Sequence, residues 1–420
     1  MSDAYVQITP DAGGKKIDNS LLTIDGTAVY RQRVESYPAG TFGEITADAW
    51  GIQKVSFPHS LFHGLWTFDI PASMWFMYEN GAQVYTSTNI VSTNGAAVLT
   101  TSAAKTALIM ESRECPRYQP NRGHLFSTAL WCPAKTNDGV REWGVQTIEN
   151  GVFFRLKADG LLYAVLRSGG SETKEEAITT SGVANFDVQK GNVYDIQYQW
   201  RGVGNYKFFI NLQLVHTFAN LGTLTALSMQ NPALPASFKC TRTTADVSMS
   251  VGCCDITSEN GDSDQEEYGA SFAAGVSTTG ADKPVMVLFN PLTINGVTNT
   301  RTVSVSVFSV INSKKSTFKV WRTRTLANIT GATFQTIGNG SWMQTDSPDM
   351  TAGAVRATAA TVANMKFVTA IPVESAVARI VDTPNPLVIK FNLVRGDYLV
   401  VTSDATAGAS DVVVKWGEQI

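Results

Sequence analysis

Charged residues are scarce in this chain. They make up 16% of its 420 residues, against about 25% in an average soluble domain. The net charge is −3, whereas a nucleic-acid partner would call for a basic stripe of Lys and Arg. The sequence therefore predicts no nucleic-acid partner, and Ser, Thr, Asn and Gln are expected to supply the polarity of the surface.

Long apolar runs are also missing. No stretch approaches the roughly 20 apolar residues that a membrane-spanning helix needs. The start MSDAYVQITPDAGG lacks the charged and apolar regions of a signal peptide. We therefore expect no membrane insertion, and a protein that stays in the cytoplasm where it is made or leaves it by a route other than secretion.

Cysteine is present in an odd number and without the CxxC spacing of a zinc site. This pattern predicts buried, reduced thiols in preference to a disulfide framework. The adjacent pair lies in the strand-like run MSVGCCDIT and is expected to act as small core residues. The five residues are Cys115, Cys132, Cys240, Cys253 and Cys254.

Catalytic signatures are absent from the sequence as well. It contains no phosphate loop, no dinucleotide fingerprint and no Gly-x-Ser-x-Gly elbow. A retaining glycosidase needs two carboxylates a few ångströms apart. Glu142 and Glu149 lie seven residues apart, which places them on opposite faces of a strand, and Glu172, Glu175 and Glu176 follow Gly169-Gly170 in a predicted polar loop. The sequence predicts no catalytic residue, no cofactor and no enzymatic activity.

Two groups of residues are candidate metal ligands. His59 and His63 have the i,i+4 spacing of zinc-protease ligands, but Ser60 occupies the position of the general base. An acidic cluster could offer oxygen ligands to calcium, although it lacks the spacing of an EF-hand. A solvated linker is the favoured interpretation of that cluster, which consists of Asp255, Glu259, Asp262, Asp264, Glu266 and Glu267. The sequence therefore predicts no metal site.

What the chain does have is strand patterning. Tyr194, Ile196, Tyr198 and Trp200 alternate with polar residues, as in a half-buried strand. A second extended run is predicted from Tyr206 to Val215, with Leu212 where a tight turn would carry glycine. Similar runs recur along the chain without long helical periodicity, and a helix is expected at most in short turns such as 103–110.

The sequence predicts an all-β chain in four parts. Asp25-Gly26 and Asp159-Gly160 each separate two extended runs and predict hairpins. We predict a short N-terminal attachment arm (1–50), a jelly-roll sandwich (51–260), an acidic linker (261–274) and a C-terminal β-sandwich (275–420).

Four tryptophans bear on carbohydrate recognition, since exposed aromatic rings stack on sugars. The alternative is that they fill the sandwich core, because aromatic side chains bury the largest areas. Core positions are the favoured prediction, most strongly for the last of the set Trp66, Trp75, Trp143 and Trp200.

Two portions of the chain resemble structural proteins of tailed bacteriophages. The first is ITPDAGGKKIDNSLLTIDGTAVYRQRVE, and the second comprises YDIQYQWRGVGNYKFFINLQLVHTF, LGTLTALSMQNPALPASF and MSVGCCDITSENGD. The second is also similar to concanavalin-like or laminin-G-like jelly rolls. The resemblance implies a virion component of the tail tip, baseplate or fibre attachment, docked to other virion proteins by its arm and assembled as a homotrimer.

Two alternatives to this position remain open at the level of the sequence. One is a capsid decoration protein or head fibre. The other is a receptor-recognition protein that binds a glycan of the host surface through its middle domain.

Overall fold

The computed structural model of the protein describes residues 19–24, 27–32, 59–118, 122–133, 139–200, 205–219, 227–258, 268–278, 282–312, 316–338, 341–346, 357–373, 391–403 and 408–418. The chain divides into two compact units, Met1–Thr46 and Ala47–Ile420. In the first, β1 (Asn19–Ile24) and β2 (Thr27–Gln32) form an antiparallel hairpin that pairs Ile24 with Thr27. The hairpin predicted around Asp25-Gly26 is confirmed.

Two eight-stranded antiparallel sheets form the first sandwich of the larger unit. Sheet A has the order β13-β12-β11-β10-β17-β8-β4-β5. Its strands are β4 (Trp75–Glu79), β5 (Ala82–Val84), β8 (Ala107–Ser112), β10 (Gly139–Gln146), β11 (Gly151–Leu156), β12 (Leu162–Ser168), β13 (Ser171–Ala177) and β17 (Ala236–Arg242). Sheet B has the order β16-β15-β14-β9-β18-β7-β6, with β3 also paired to β18. Its strands are β3 (His59–Leu65), β6 (Ile90–Thr93), β7 (Ala96–Thr100), β9 (His124–Trp131), β14 (Asn192–Tyr198), β15 (Tyr206–Ile210), β16 (Gln213–Phe218) and β18 (Ser248–Ser258).

A second, smaller sandwich follows. Sheet C has the order β19-β32-β23-β30, and sheet D has the order β26-β27-β20-β31-β24-β29. The strands of sheet C are β19 (Tyr268–Thr278), β23 (Val303–Asn312), β30 (Phe391–Leu393) and β32 (Gly408–Glu418). Those of sheet D are β20 (Lys283–Phe289), β24 (Ser316–Thr323), β26 (Gln335–Gly338), β27 (Ser341–Thr345), β29 (Lys366–Val373) and β31 (Tyr398–Ser403). Two short ribbons complete it: β21 (Thr293–Ile294) with β22 (Val297–Thr298), and β25 (Ile329–Thr330) with β28 (Ala359–Ala360).

The predicted all-β class is therefore confirmed. Within the described segments the helical elements are two 3₁₀ turns, Leu326–Asn328 and Val362–Asn364. The segment 103–110, where the sequence allows a short helical turn, instead leads into strand β8. A membrane-spanning helix does not occur in the part of the chain that the structure describes.

Aromatic side chains fill the first sandwich. Trp66, Trp75 and Trp143 are fully buried, and the rings of Trp143 and Phe154 stack with centroids 5.8 Å apart. Trp200 is half-buried, and its indole N–H donates to the carbonyl oxygen of Met229. The core placement is confirmed for three of the four tryptophans. Trp75 and Trp143 lie on strands whose pleat directs their side chains between the two sheets, and Trp66 enters the same core just after β3. The rings of Trp66, Trp75 and Trp143 are therefore not available to stack on a bound sugar.

The segment 194–218 forms three strands, where two were predicted. Strands β15 and β16 pair Ile210 with Gln213, so the loop between them is only Asn211-Leu212. Both loop residues have positive φ angles, 50° and 67°, as a type I′ turn requires. The continuous strand predicted through Leu212 is therefore wrong. The pairing of Ile210 with Gln213 leaves a loop of two residues, and this loop places Leu212 in the left-handed region.

Strand β14 is buried on both faces. Tyr194 and Ile196 enter the core as predicted, whereas Asp195 and Gln197 on the opposite face are only 3% and 1% exposed. The prediction of a half-buried strand thus holds for the apolar face and fails for the polar one. Alternation shows which face of a strand is apolar and which is polar. It does not show whether the polar face is exposed, because polar side chains with hydrogen-bond partners can also be buried.

A separate core holds the second sandwich together. Buried valines, leucines and methionines from sheets C and D pack around Phe318 and Trp416. Strand β19 begins at residue 268 and pairs along its whole length with β32. It therefore occupies part of the segment 261–274, for which a linker was predicted. The other domain boundaries remain predictions.

Polar side chains connect the two sandwiches. Arg395 forms an ion pair with Glu111 and donates from Nη2 to the carbonyl oxygen of Ser112 at 3.1 Å. The carboxylate of Glu149 accepts hydrogen bonds at 3.1 Å from both the backbone N–H and the hydroxyl of Thr298. These contacts fix sheet A against the loops of the second sandwich.

The cysteine prediction is confirmed in its main point. All five cysteines are free; four are buried, and Cys253 is half-buried beside Cys254 on strand β18.

Candidate functional site

An ion-pair network covers the outer face of sheet A. Trp143 and Phe154 point into the core, so the adjacent residues Glu142 and Arg155, which are paired in register, point outward. Arg155 Nε donates to Glu142 Oε1 at 2.7 Å. Its Nη1 donates to Glu175 Oε1 at 2.6 Å and to Glu172 Oε2 at 2.8 Å. One guanidinium thus holds three carboxylates from two strands.

The polar loop predicted after Gly169-Gly170 is a strand, so that prediction is wrong. Glu172, Glu175 and Glu176 belong to the edge strand β13, whose pairing with β12 places Glu172 opposite Arg167. Charged residues on an edge strand oppose unwanted pairing with another chain. Arginines on neighbouring strands neutralise these carboxylates, so the charged run can form a strand. The pairing of these strands is not apparent from the sequence of the segment itself.

Hydrogen bonds from two arginines keep the carboxylate of Glu172 ionised. The hydrogen bond from Arg155, with a further one from Arg167, lowers the pKa of Glu172 to about 2. A general acid at neutral pH requires the opposite shift. The network therefore suits structural pairing or electrostatic recognition.

A second feature is a pocket between the two sandwiches. Its volume is about 220 Å³. We call it the cationic pocket; it is lined by Ser73, Tyr85, Arg322, Thr323, Arg324, Thr325, Asn364 and Lys366. The first two residues flank strands β4 and β5 of the first sandwich. The other six come from the second sandwich: from β24, the segment after it, the 3₁₀ turn Val362–Asn364 and the start of β29.

Two hydrogen bonds connect the two sandwiches at the pocket. The hydroxyl of Tyr85 donates to the carbonyl oxygen of Arg324 at 3.3 Å. In return, Arg324 Nη2 donates to the carbonyl oxygen of Ser73 at 3.0 Å. Tyr85 is nevertheless 44% exposed, so one part of its ring remains accessible beside the pocket.

A single buried carboxylate organises the arginines of the pocket. Asp397, which is fully buried, ion-pairs with Arg322 and accepts from Arg324 Nε at 3.0 Å. Its Oδ2 also accepts from the backbone N–H of Val394 at 3.1 Å. The arrangement holds two guanidinium groups side by side at the pocket and leaves them with more positive charge than Asp397 neutralises.

The surroundings of the pocket add to this positive charge. Arg113 is 2% exposed, and burial together with repulsion from Arg324 lowers its pKa to about 9. Burial also lowers the pKa of Arg324, an effect that Asp397 opposes. Within the described residues, Arg113 Nη1 and Arg322 Nε are buried and have no hydrogen-bond acceptor. The region therefore offers donors and positive potential to a ligand.

The residues considered as metal ligands are not brought together. His59 and His63 lie on strand β3, where a four-residue spacing separates them by about 13 Å along the strand. Asp255 lies on β18 and accepts a hydrogen bond from Ser60 at 2.6 Å. The rest of the acidic cluster, from Glu259 to Glu267, lies outside the described residues. Across the described segments, no group of three or more His, Cys, Asp or Glu residues could hold a metal ion.

Sequence reasoning missed the cationic pocket. Its residues extend from Ser73 to Lys366, and only the fold brings them together. One local signal existed: Arg322 and Arg324 in VWRTRT occupy alternate positions, which share one face of an extended chain.

Comparison with known proteins identifies no family. No protein-family model matches the chain, and no curated protein matches it. Solved structures do share the fold. An endo-1,3-β-glucanase from Streptomyces sioyaensis is 14% identical with a TM-score of 0.40, and the match covers 49% of this chain and 98% of that one. The endo-β-1,3-glucanase from Pyrococcus furiosus is 11% identical with a TM-score of 0.36, covering 57% and 97%.

A third similar structure is a carbohydrate-binding domain. The carbohydrate recognition domain of Emp46p in its metal-free form is 10% identical with a TM-score of 0.32, covering 46% of this chain and 97% of that one. The neighbours are thus jelly-roll sandwiches of the concanavalin-like kind, and at these identities the likeness concerns the fold alone. Nothing in these comparisons shows a phage origin.

The comparisons correct one prediction. The sequence predicted that the protein is not an enzyme, yet most of the similar structures named are endo-1,3-β-glucanases and glycosyl hydrolases. The exclusion is therefore contradicted. It rested on the absence of a local carboxylate motif, and such a test cannot detect residues that the fold assembles from separate strands.

Proposed function

We propose that the protein binds a carbohydrate in the cationic pocket. The observation that carries this proposal is the lining of the pocket, which combines an accessible aromatic ring, Tyr85, with an amide, several hydroxyls and three cationic donors. Sugar rings have apolar faces that stack on aromatic side chains, and their hydroxyls need convergent hydrogen-bonding groups. The pocket is smaller than the roughly 300–1,000 Å³ of drug-sized ligand sites. It fits one sugar ring, and the remaining sugars of the glycan would lie outside the pocket.

Substitution of Tyr85 by alanine tests the proposal. The purified protein is screened against a glycan array, and the affinity of the best glycan is measured by calorimetry. Tyr85→Ala removes the stacking surface and is expected to weaken binding about tenfold, a loss of about 1.4 kcal/mol. Phe68→Ala is the matched control, because Phe68 is an aromatic residue that is 94% exposed and does not line the pocket.

Two results would count against carbohydrate binding at this site. One is the absence of binding to any glycan, and the other is equal weakening by Tyr85→Ala and Phe68→Ala. Reducing sugar is assayed in the same samples, since its release would add hydrolysis to recognition.

We also propose that the protein is part of a tailed-phage virion, docked to other virion proteins by its N-terminal unit and assembled as a homotrimer. The favouring observation is that residues 1–46 form a compact unit separate from residues 47–420. A separate small unit can bind a neighbouring protein while the sandwiches present the cationic pocket to a host-surface glycan. Three copies would give such a contact avidity.

A further inference from the structure

We infer that the ligand of the cationic pocket is an acidic sugar, whose carboxylate or sulfate group is bound by Arg322, Arg324 and Lys366. This inference rests on the proposed carbohydrate binding and specifies its chemical class. It is carried by the arrangement of charge around the pocket.

The pocket holds more positive than negative charge. Three of its eight lining residues are cationic, and the lining in the described part of the chain includes no Asp or Glu. Asp397 lies behind the lining and is shared by two arginines. Lys366 is exposed, and no carboxylate of the described segments lies within ion-pair distance of its ammonium. At least one cation at the pocket is therefore uncompensated.

Unused donors point to the same conclusion. A guanidinium has five N–H donors in a fixed plane. Arg322 binds Asp397 through Nη2, while its buried Nε has no acceptor within the described residues. An unpaired buried donor is costly, and an oxyanion in the pocket would supply the acceptor. The planar fork of arginine fits the two oxygens of a carboxylate or the oxygens of a sulfate.

A buried cation behind the pocket supports an anionic ligand. Arg113 is nearly inaccessible, its Nη1 has no acceptor in the described part of the chain, and its neighbour Arg324 repels it. Negative charge in the pocket would attract both cations and so offset this repulsion. The ion-pair network on sheet A differs in this respect, because its arginines and glutamates compensate one another.

Matched sugar pairs test the inference. The probes are glucose and glucuronate, galactose and galacturonate, and glucose 6-sulfate, with free acetate and sulfate ions as separate probes. Affinities are measured by NMR titration of the full-length protein. The acidic member of at least one pair is expected to bind about tenfold more tightly than its neutral counterpart. Its affinity should fall as salt is added, because salt screens the attraction.

Lys366→Gln distinguishes charge from shape. It removes one cation from an exposed position and should leave the fold intact. Acidic sugars are expected to bind about threefold to tenfold more weakly to this variant, while neutral sugars, which have no charge to pair with Lys366, should lose less affinity. Lys174→Gln, on the exposed face of β13 and away from the pocket, is the control and should change neither affinity.

The outcomes separate the inference from the function on which it rests. Equal affinity for neutral and acidic sugars would overturn the acidic class and leave carbohydrate binding standing. Acetate or sulfate that binds as tightly as the acidic sugars would support the anion site and reject the contribution of the sugar ring. Failure of every probe to bind would overturn both proposals.

Discussion

Asp397 shows how a single residue can create a site without lying on its surface. The residue follows Gly396 in the turn between β30 and β31 and is fully buried. Its carboxylate is shared by Arg322 and Arg324, which lie 75 and 73 residues earlier in the chain. Removing one partner of a buried ion pair leaves an uncompensated charge and costs about 3–5 kcal/mol. The positions of the two arginines in the pocket therefore depend on this turn.

His124 gives a pH dependence to the first sandwich. Its ring packs at 5.0 Å from that of Tyr118, inside the sandwich, and burial lowers its pKa to about 4. Between about pH 4 and pH 6.5, His124 is therefore neutral in the native state and protonated in the unfolded chain, where the pKa of histidine is about 6.5. This stabilisation is complete above about pH 6.5 and is lost as the pH falls toward 4. Between pH 7 and pH 5 we expect the free energy of unfolding to fall by about 2 kcal/mol from this residue.

The measurement is a urea titration at both pH values, followed by tryptophan fluorescence. His124→Gln should remove most of the difference between pH 7 and pH 5. His216, whose pKa is also lowered by burial, is expected to contribute a smaller remainder. His63→Gln, at an exposed position, is the control and should keep the wild-type difference. An unchanged difference in His124→Gln would show that other groups cause the acid sensitivity.

At the scale of the element, the β15–β16 hairpin is a strained solution to a tight turn. Asn211 tolerates a positive φ, whereas a leucine in this conformation brings its Cβ close to the following carbonyl oxygen. Leu212 adopts it at φ 67° and is 42% exposed. The flanking strands place Phe208 and Ile210 in the core, so the register cannot slip without moving them to the other face.

Leu212→Gly is expected to stabilise the first sandwich. Glycine adopts positive φ without the steric cost, and Asn-Gly is the preferred pair for this turn. We expect the free energy of unfolding to rise by about 1 kcal/mol, measured by urea titration. Leu161→Gly is the control: Leu161 is also exposed but has no positive φ, and its replacement should be neutral or destabilising. Destabilisation by Leu212→Gly would mean that the leucine makes a contact that outweighs its strain.

For the molecule as a whole, the sequence predicted the elements better than their assembly. Alternation and turn residues identified the all-β class, the two Asp-Gly hairpins and the buried Trp66 and Trp143, because these depend on local geometry. The cationic pocket could not be predicted, since Tyr85 and Lys366 meet only through the contact between the sandwiches. The charged strand β13 was missed for a related reason: the partners of its glutamates, Arg155 and Arg167, lie on other strands.

Deletion of the N-terminal unit tests its role in docking and in stability. A protein lacking residues 1–46 should keep the wild-type unfolding temperature and glycan affinity, because the sandwich cores and the cationic pocket lie entirely within residues 47–420. If the unit docks the protein to a virion, the truncated protein should be missing from particles assembled in its presence, as judged by sedimentation and immunoblotting. A full-length protein with a scrambled arm of the same composition is the control for length and charge, and it should also fail to incorporate. Normal incorporation of the truncated protein would reject docking through this unit, while a lowered unfolding temperature would assign the unit a role in stability.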